Sequence, residues 1–222
     1  MHARLARLVF GGTCFVCRGA ARGTLCELCD ADLPRLPGSL CPRCALESPS
    51  GAVCGRCLAH PPHYDATLAA FAYRFPADVL VHALKFRGEL ALGPYLASLL
   101  SEKISPQSVD CILAVPLSGE RLRERGYNQS VEIARHLGAR LALDACTRER
   151  DAPPQAGLDR EARRRNVRGA FRCKRSFAGE RVAVVDDVMT TGATLDELAR
   201  ELKAAGAASV VNWVVCRTAS DV

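Results

Sequence analysis

Aromatic side chains are scarce: they fill 5% of the 222 positions, with one tryptophan, four tyrosines and seven phenylalanines. The most basic stretch, 148–175, contains only Phe171 among them. That argues against a base-stacking groove there, because single-strand binders stack bases on aromatic rings. Long apolar runs are also missing. None approaches the ~20 residues of a membrane span, so no span is expected. The first ten residues hold Arg4 and Arg7 and a very short apolar run before Gly11 and Gly12. This is too short for the apolar region of a signal peptide. A short amphipathic helix is the expectation, and a cytosolic (cytoplasmic) location follows from it. No internal repeat appears beyond a set of cysteine pairs.

Cysteine is abundant. Eight of the twelve cysteines form four CxxC pairs: Cys14 and Cys17, Cys26 and Cys29, Cys41 and Cys44, Cys54 and Cys57. In a cytosolic chain such a pattern points to metal rather than disulfides. Each pair can aim two thiolates at one ion, and two pairs complete a tetrahedral structural zinc site. The intervening segments are short and polar, broken by Pro34, Pro37, Pro42 and Pro49. Too few apolar residues lie here for an independent core, so metal bonding supplies the folding free energy. Sequential pairing gives two tandem ribbons with the shorter loops; interleaved pairing also closes two sites, and an iron–sulfur cluster uses the same four thiolates. Cys111, Cys146, Cys173 and Cys216 receive no role.

From about residue 64 the composition changes. Strands are expected at 67–75, 110–116, 144–148, 182–185 and 209–216. Helices are expected at 77–86, 89–102, 127–142 and 195–205. Strands alternating with helices imply an α/β fold with a parallel sheet and right-handed crossovers. The domain boundary falls at 60, giving a Cys-rich module over 1–60 and an α/β domain over 61–222.

The most specific string begins at Val182. A run of valines, unbroken by polar residues, reads as a strand buried on both faces. It ends in Asp186 and Asp187, at the strand end where open α/β sheets bind ligands. Adjacent carboxylates repel each other and need a partner; a sugar diol can donate hydrogen bonds to both. Thr190, Thr191, Gly192, Ala193 and Thr194 then open a helix whose free amides and dipole favour an anion. Gly192 permits a close backbone approach. One strand–loop–helix unit is therefore expected to read both ends of a ribose 5-phosphate.

Three more clusters stand out. Val115-Pro116-Leu117 leads to Arg125, Gly126, Tyr127, Asn128 and Gln129, again after a strand end; the guanidinium and the amides suit phosphate or substrate. Lys85 lies in a Lys-Phe-Arg-Gly run at a helix end, where it either complements the dipole or reaches the ligand. The stretch 148–175 holds ten Lys/Arg against four acids, a surplus equal to the whole chain's formal net charge of +6. Arg160, Arg163, Arg164, Arg165, Asn166 and Arg168 are its candidates for a mobile loop closing over the site, or for gripping nucleic acid.

The string around Asp186 and Asp187 resembles the phosphoribosyl pyrophosphate (PRPP) signature of type I phosphoribosyltransferases. With the CxxC pairs, residues 84–88, 115–117 and 125–129, Gln155, Arg163, Asn166 and residues 169–171, nearly the whole chain resembles the ComF family of late-competence and GntX-like proteins. The resemblance implies a double zinc ribbon, with two structural Zn²⁺ sites, fused to a type I phosphoribosyltransferase-like domain. It implies that Asp186 and Asp187 orient the ribose, that residues 190–194 and Lys85 bind PRPP, and that Mg²⁺ with Arg125 stabilises leaving pyrophosphate. It also implies a role in natural competence, with single-stranded DNA and a helicase or translocase as partners. Transfer of the phosphoribosyl group to an unidentified acceptor is one reading. The other is a non-catalytic, DNA-binding module that uses its PRPP-type pocket only to hold a phosphate ligand.

Overall fold

The structure is a computed structural model that describes residues 12–150 and 167–219. The expected N-terminal amphipathic helix lies outside these residues, as do Gln155, Arg160, Arg163, Arg164, Arg165 and Asn166.

Two short strands, β1 (Gly12–Thr13) and β2 (Ala20–Ala21), and two short helices, α1 (Glu27–Ala31) and α2 (Gly55–Ala59), belong to the cysteine-rich part. The α/β part runs β3 (Ala66–Ala72), α3 (Ala77–Phe86), α4 (Leu92–Ser101), β4 (Cys111–Ala114), α5 (Gly119–Arg125), α6 (Gln129–Ala134), β5 (Cys146–Arg148), β6 (Phe171–Cys173), β7 (Arg181–Met189), α7 (Ala193–Ala204) and β8 (Ser209–Arg217). Strands β3, β8, β7 and β4 form one parallel sheet in that spatial order. Strands β5 and β6 form a separate antiparallel pair. Among the described residues no helix is long and apolar enough to cross a membrane.

Both faces of the sheet are covered, which is why β7 and β8 read as unbroken apolar runs. On one face Ala183, Val185, Trp213 and Val215 pack with Leu80 and Leu84 of α3, Leu96 and Leu100 of α4 and Ile133 of α6. On the other, Val182, Val184, Val210 and Val214 meet Leu195, Leu198, Ala199 and Leu202 of α7. Those four α7 positions follow the helical repeat, so one stripe faces the sheet. Full burial of each such leucine stabilises by roughly 1.5–3 kcal/mol.

The cysteine-rich part straddles the β3 edge. Cys14, Ala21, Leu25, Cys29 and Leu33 join the first core cluster, and Cys41, Cys44, Ala45, Cys57 and Tyr64 join the second. The crossing segment pairs with the strand: Thr67 N–H donates to Pro42 O at 3.0 Å and Ala72 N–H to Pro34 O at 2.8 Å. An edge that would otherwise expose unpaired backbone is thereby closed.

Two element boundaries differ from the sequence expectation. The helix expected over 127–142 is α-helical only at Gln129–Ala134. It tightens into i→i+3 bonds, His136 to Ile133 and Leu137 to Ala134, and ends before Gly138 at φ 74°. The strand expected at 182–185 runs on through Met189, because β8 continues beside it to Arg217. The aspartates therefore lie inside the strand. Since β4 ends at Ala114, opposite Val185, one side of that extension has no strand neighbour among the described residues.

Candidate functional site

Asp186 and Asp187 point to different partners. Asp187 is 2% exposed, and Lys85 Nζ stands 2.9 Å from its Oδ2. That contact is an ion pair; Oδ2 has no separate hydrogen-bond donor among the described residues. Its Oδ1 accepts the Val188 N–H at 2.9 Å. The partner that adjacent carboxylates need is, for Asp187 in this conformation, the chain's own ammonium, delivered by α3, and a diol would have to displace it. Asp186 is less enclosed. Its Oδ1 accepts the Ser130 hydroxyl and the Asp187 N–H, each at 3.0 Å.

The two acids titrate in opposite directions. Burial, then the Asp187 charge beside it, pushes the Asp186 carboxyl up to about 7. Burial works the same way on Asp187, but the Lys85 ammonium outweighs it and holds that carboxyl below its usual range. Lys85 is correspondingly raised: burial disfavours its charge, and the two aspartates overcome that. One of two crowded carboxylates is thus neutralised by a cation and the other keeps its proton near neutrality.

The phosphate-type loop follows. Thr190 is exposed, Thr191 and Thr194 are half-buried, and Gly192 and Ala193 lie beneath them. Gly192 sits at φ 82° as the N-cap of α7. A Cβ there would fall 2.6 Å from Met189 Cε and 3.1 Å from the Tyr64 hydroxyl. The Thr191 hydroxyl takes the Ala193 N–H at 3.3 Å. The remaining first-turn amides have no intrahelical acceptor. Gly192→Ala is expected to destabilise the fold by roughly 1–2 kcal/mol from the left-handed backbone alone, with a further cost for displacing Met189. Gly88, at φ 70°, provides the comparison, because a Cβ at that position would meet nothing within 4 Å. Urea midpoints should fall further for Gly192→Ala than for Gly88→Ala; equal shifts would mean that the contacts beneath the loop do not matter.

The loop after β4 is organised by its own side chains. Ser118 caps α5, and Gly126 at φ 79° ends it. The Asn128 amide is engaged within the protein: Nδ2 donates to Val115 O at 2.9 Å, and Oδ1 caps α6 through the Ser130 and Val131 N–H groups. Gln129 is 3% exposed and its Oε1 accepts from Arg125 Nη1. The Tyr127 hydroxyl donates to Leu84 O, tying this loop to α3. The Arg125 guanidinium lies 5.3 Å over the Phe86 ring, and Lys85 Nζ lies 6.0 Å from it. Lys85 and Arg125 therefore meet at Phe86, and Lys85 reaches the aspartates near the end of β7, from which residues 190–194 lead into α7. Arg168 is exposed.

Sequence reasoning missed two residues. Ser130, fully buried, orients Asp186; its place one residue after Gln129, in a cluster already singled out, was the available signal. Arg217, 2% exposed, ends β8. Its Nε donates to Cys44 O at 2.8 Å, and its Nη1 to Met189 O at 2.9 Å, to Thr190 O and to Thr218 O at 2.7 Å. One guanidinium fork thus fastens the second cysteine cluster to the start of the phosphate-type loop. An arginine closing an apolar strand at the ligand-binding rim was its signal.

The eight CxxC cysteines form two clusters in sequential pairing. Cys14, Cys17, Cys26 and Cys29 make one, and Cys41, Cys44, Cys54 and Cys57 the other, with the four sulfurs of each within 4.8 Å of one another. Four converging thiolates fit structural Zn²⁺ and leave no ligand position open for chemistry. Backbone support is present: the Cys54 N–H donates to Cys41 Sγ at 3.3 Å.

The double zinc ribbon domain family matches residues 5–58, and the phosphoribosyl transferase domain family matches residues 100–222. Fold and sites define a double zinc ribbon joined to a phosphoribosyltransferase-like α/β domain. The DNA utilization protein YhgH of Salmonella typhimurium is 35% identical, the match covering 95% of this chain and 99% of that protein. Competence protein F of Haemophilus influenzae is 30% identical over 94% of this chain and 98% of its own length. Competence protein ComFC of Bacillus subtilis is 28% identical over 87% and 84%. The chain belongs to the ComF family of competence and DNA-utilisation proteins.

Proposed function

We propose that this chain binds PRPP, or a closely related ribose 5-phosphate, at the C-terminal rim of its sheet. The observation that supports it best is the order along one unit: Asp186 and Asp187 near the end of β7, then a left-handed Gly192 that caps α7. In this reading residues 190–194 take the 5-phosphate through backbone amides and threonine hydroxyls. Asp186 accepts from the ribose hydroxyls while Ser130 fixes its rotamer. Arg125, held by Gln129, meets the pyrophosphate charge. Lys85 has two roles: it neutralises Asp187 without ligand and turns to a phosphate oxygen with ligand, freeing Asp187 for the diol.

Mg²⁺ fits this donor set. It requires oxygen ligands, and one or two carboxylates beside substrate phosphates suffice; Asp186 supplies an oxygen at once, and Asp187 does so when Lys85 moves. When bound, the ion would neutralise pyrophosphate charge.

The domain boundary at residue 60 belongs to the same proposal, with 1–60 as a zinc-stabilised module closing the β3 edge and 61–222 as the ligand-binding domain. The relatives' names, DNA utilization protein and competence protein, support a role in competence and DNA use; within this proposal the DNA is imported, single-stranded and handled in the cytosol, with a competence helicase or translocase as partner. Phosphoribosyl transfer to an unidentified acceptor would require the same opening of the Lys85–Asp187 ion pair that ligand binding does.

Titration calorimetry of PRPP into the zinc-loaded chain with Mg²⁺ tests the proposal. A saturable single site is expected, competed by ribose 5-phosphate. Absence of heat and of competition would end the reading. Pyrophosphate release, measured across bases and single-stranded DNA, separates an enzyme from a binding module.

A further inference from the structure

Two cysteines outside the metal clusters face each other across the β5–β6 hairpin. Cys146 and Cys173 are direct cross-strand partners, with their sulfurs 2.7 Å apart. Directly opposed residues of antiparallel strands have Cα atoms roughly 4.5–5.5 Å apart, inside the range a disulfide spans without backbone movement. Further bonds hold the hairpin on either side of the pair: Lys174 N–H donates to Ala145 O and Glu149 N–H to Ala170 O, both at 2.8 Å. The Cys173 N–H also reaches Glu201 Oε1 on α7, at 3.5 Å.

The surroundings separate this pair from the other cysteines. No third metal-type side chain joins it among the described residues, so it is not a third zinc site. Cys111 instead donates to Glu180 Oε2 at 3.1 Å, and Cys216 is fully buried. Within the pair the two thiols differ. Cys146 is 4% exposed, while Cys173 is half-buried and so the more accessible of the two.

We propose that Cys146 and Cys173 are a redox-active dithiol, modified by small disulfides such as oxidised glutathione and closing to an intramolecular disulfide. The Cys173 thiolate attacks one sulfur of the reagent, forming a mixed disulfide and expelling one glutathione thiolate. Cys146 then attacks the Cys173 sulfur; the Cys146–Cys173 bond forms and the second glutathione leaves as its thiol, carrying the Cys146 proton. Two cysteine thiols are oxidised and one glutathione disulfide is reduced to two glutathiones. The hydrogen bond from Cys146 holds the Cys173 thiol below its ordinary range despite burial, which suits Cys173 to the first attack.

The bond would fasten together β5 and β6, the strands on either side of residues 149–170. It would also act on the rim: Cys146, Thr147 and Arg148 line a cavity of about 740 Å³ shared with Gly126 and Asn128. This inference is independent of what the phosphate-type loop binds.

The test treats the zinc-loaded full chain with oxidised glutathione, blocks remaining thiols by alkylation, and maps tryptic peptides by mass spectrometry. The expected product links residues 141–148 to residues 173–174, two hydrogens lighter than the sum of the free peptides, with zinc content unchanged. Cys146→Ser should instead retain a stable glutathione adduct on Cys173. Recovery of both wild-type peptides fully alkylated would overturn the proposal. So would a lasting glutathione adduct on Cys173 in the wild-type chain, since that would show that Cys146 cannot complete the exchange.

Discussion

Asp186→Asn is expected to remove most of the pH dependence of PRPP binding and to weaken the complex at pH 8 by at least about tenfold, the loss of one charge-assisted hydrogen bond. The wild-type carboxyl, pushed up to about 7 by burial and by its neighbour's charge, is largely protonated at pH 6 and ionised at pH 8. Ribose hydroxyls need the ionised form as acceptor. Affinity should therefore rise by up to about tenfold per pH unit below 7 and level off above it. A terminal phosphate also titrates near pH 6, so the comparison with the asparagine variant carries the result. Calorimetry at four pH values would settle it; parallel profiles for the two proteins would remove Asp186 from the site.

The same shifts act on stability with opposite signs. Asp186, raised in the folded chain, stabilises most when protonated, and its contribution is lost as pH rises from the carboxylate range toward 7. Asp187, depressed, contributes above its unfolded pKa, and that contribution is lost as pH falls through the lower folded value. Asp187→Asn leaves Lys85 without its principal partner and should cost more stability than Asp186→Asn. Lys85 is partly solvent-exposed, which lessens that cost.

Loss of metal from the second cysteine cluster is expected to have the largest effect on the molecule. Metal binding supplies about 10–16 kcal/mol in zinc-finger peptides, more than any single packing contact or hydrogen bond that residues 41–57 make with the sheet. Cys44→Ala should unfold this ribbon, expose the β3 edge and release Arg217. Freed of Cys44 O, that guanidinium no longer fixes Met189 and Thr190, so PRPP affinity should fall together with thermal stability. Each buried carbonyl left unpaired costs roughly 1–3 kcal/mol. Cys26→Ala in the first cluster should lower stability with a smaller effect on PRPP, because that cluster packs on the opposite face and makes no bond to the loop among the described residues. Zinc content, melting temperature and PRPP affinity measured on both variants decide the matter. Equal losses of affinity would eliminate Arg217 as the link.

Much of this architecture is legible from local sequence. The apolar runs of β7 and β8, the stripe on α7 and the turn at Gly192 depend on residues a few positions apart, where periodicity and backbone conformation act directly. The helix after Asn128 is shorter than its apolar spacing implies, since the bonds that tighten it at His136 and Leu137 leave no mark in that spacing. The aspartates look like a free pair in the sequence, because nothing near Asp187 in the chain announces that α3 will deliver Lys85 to it.

By itself the sequence determined that two four-thiolate sites would form, that a strand would carry two acids to a sheet rim, and that an anion-binding turn would follow. CxxC spacing, valine runs and a glycine at a left-handed turn impose these through short-range sterics and ligand geometry. Only the tertiary structure decided which CxxC pairs share an ion, which acid a lysine neutralises and how Cys146 meets Cys173. It also decided that Arg217 binds a cysteine carbonyl 173 positions away. Such partnerships arise when packed layers bring distant segments together, and buried polar groups then take whichever charges and carbonyls lie within reach.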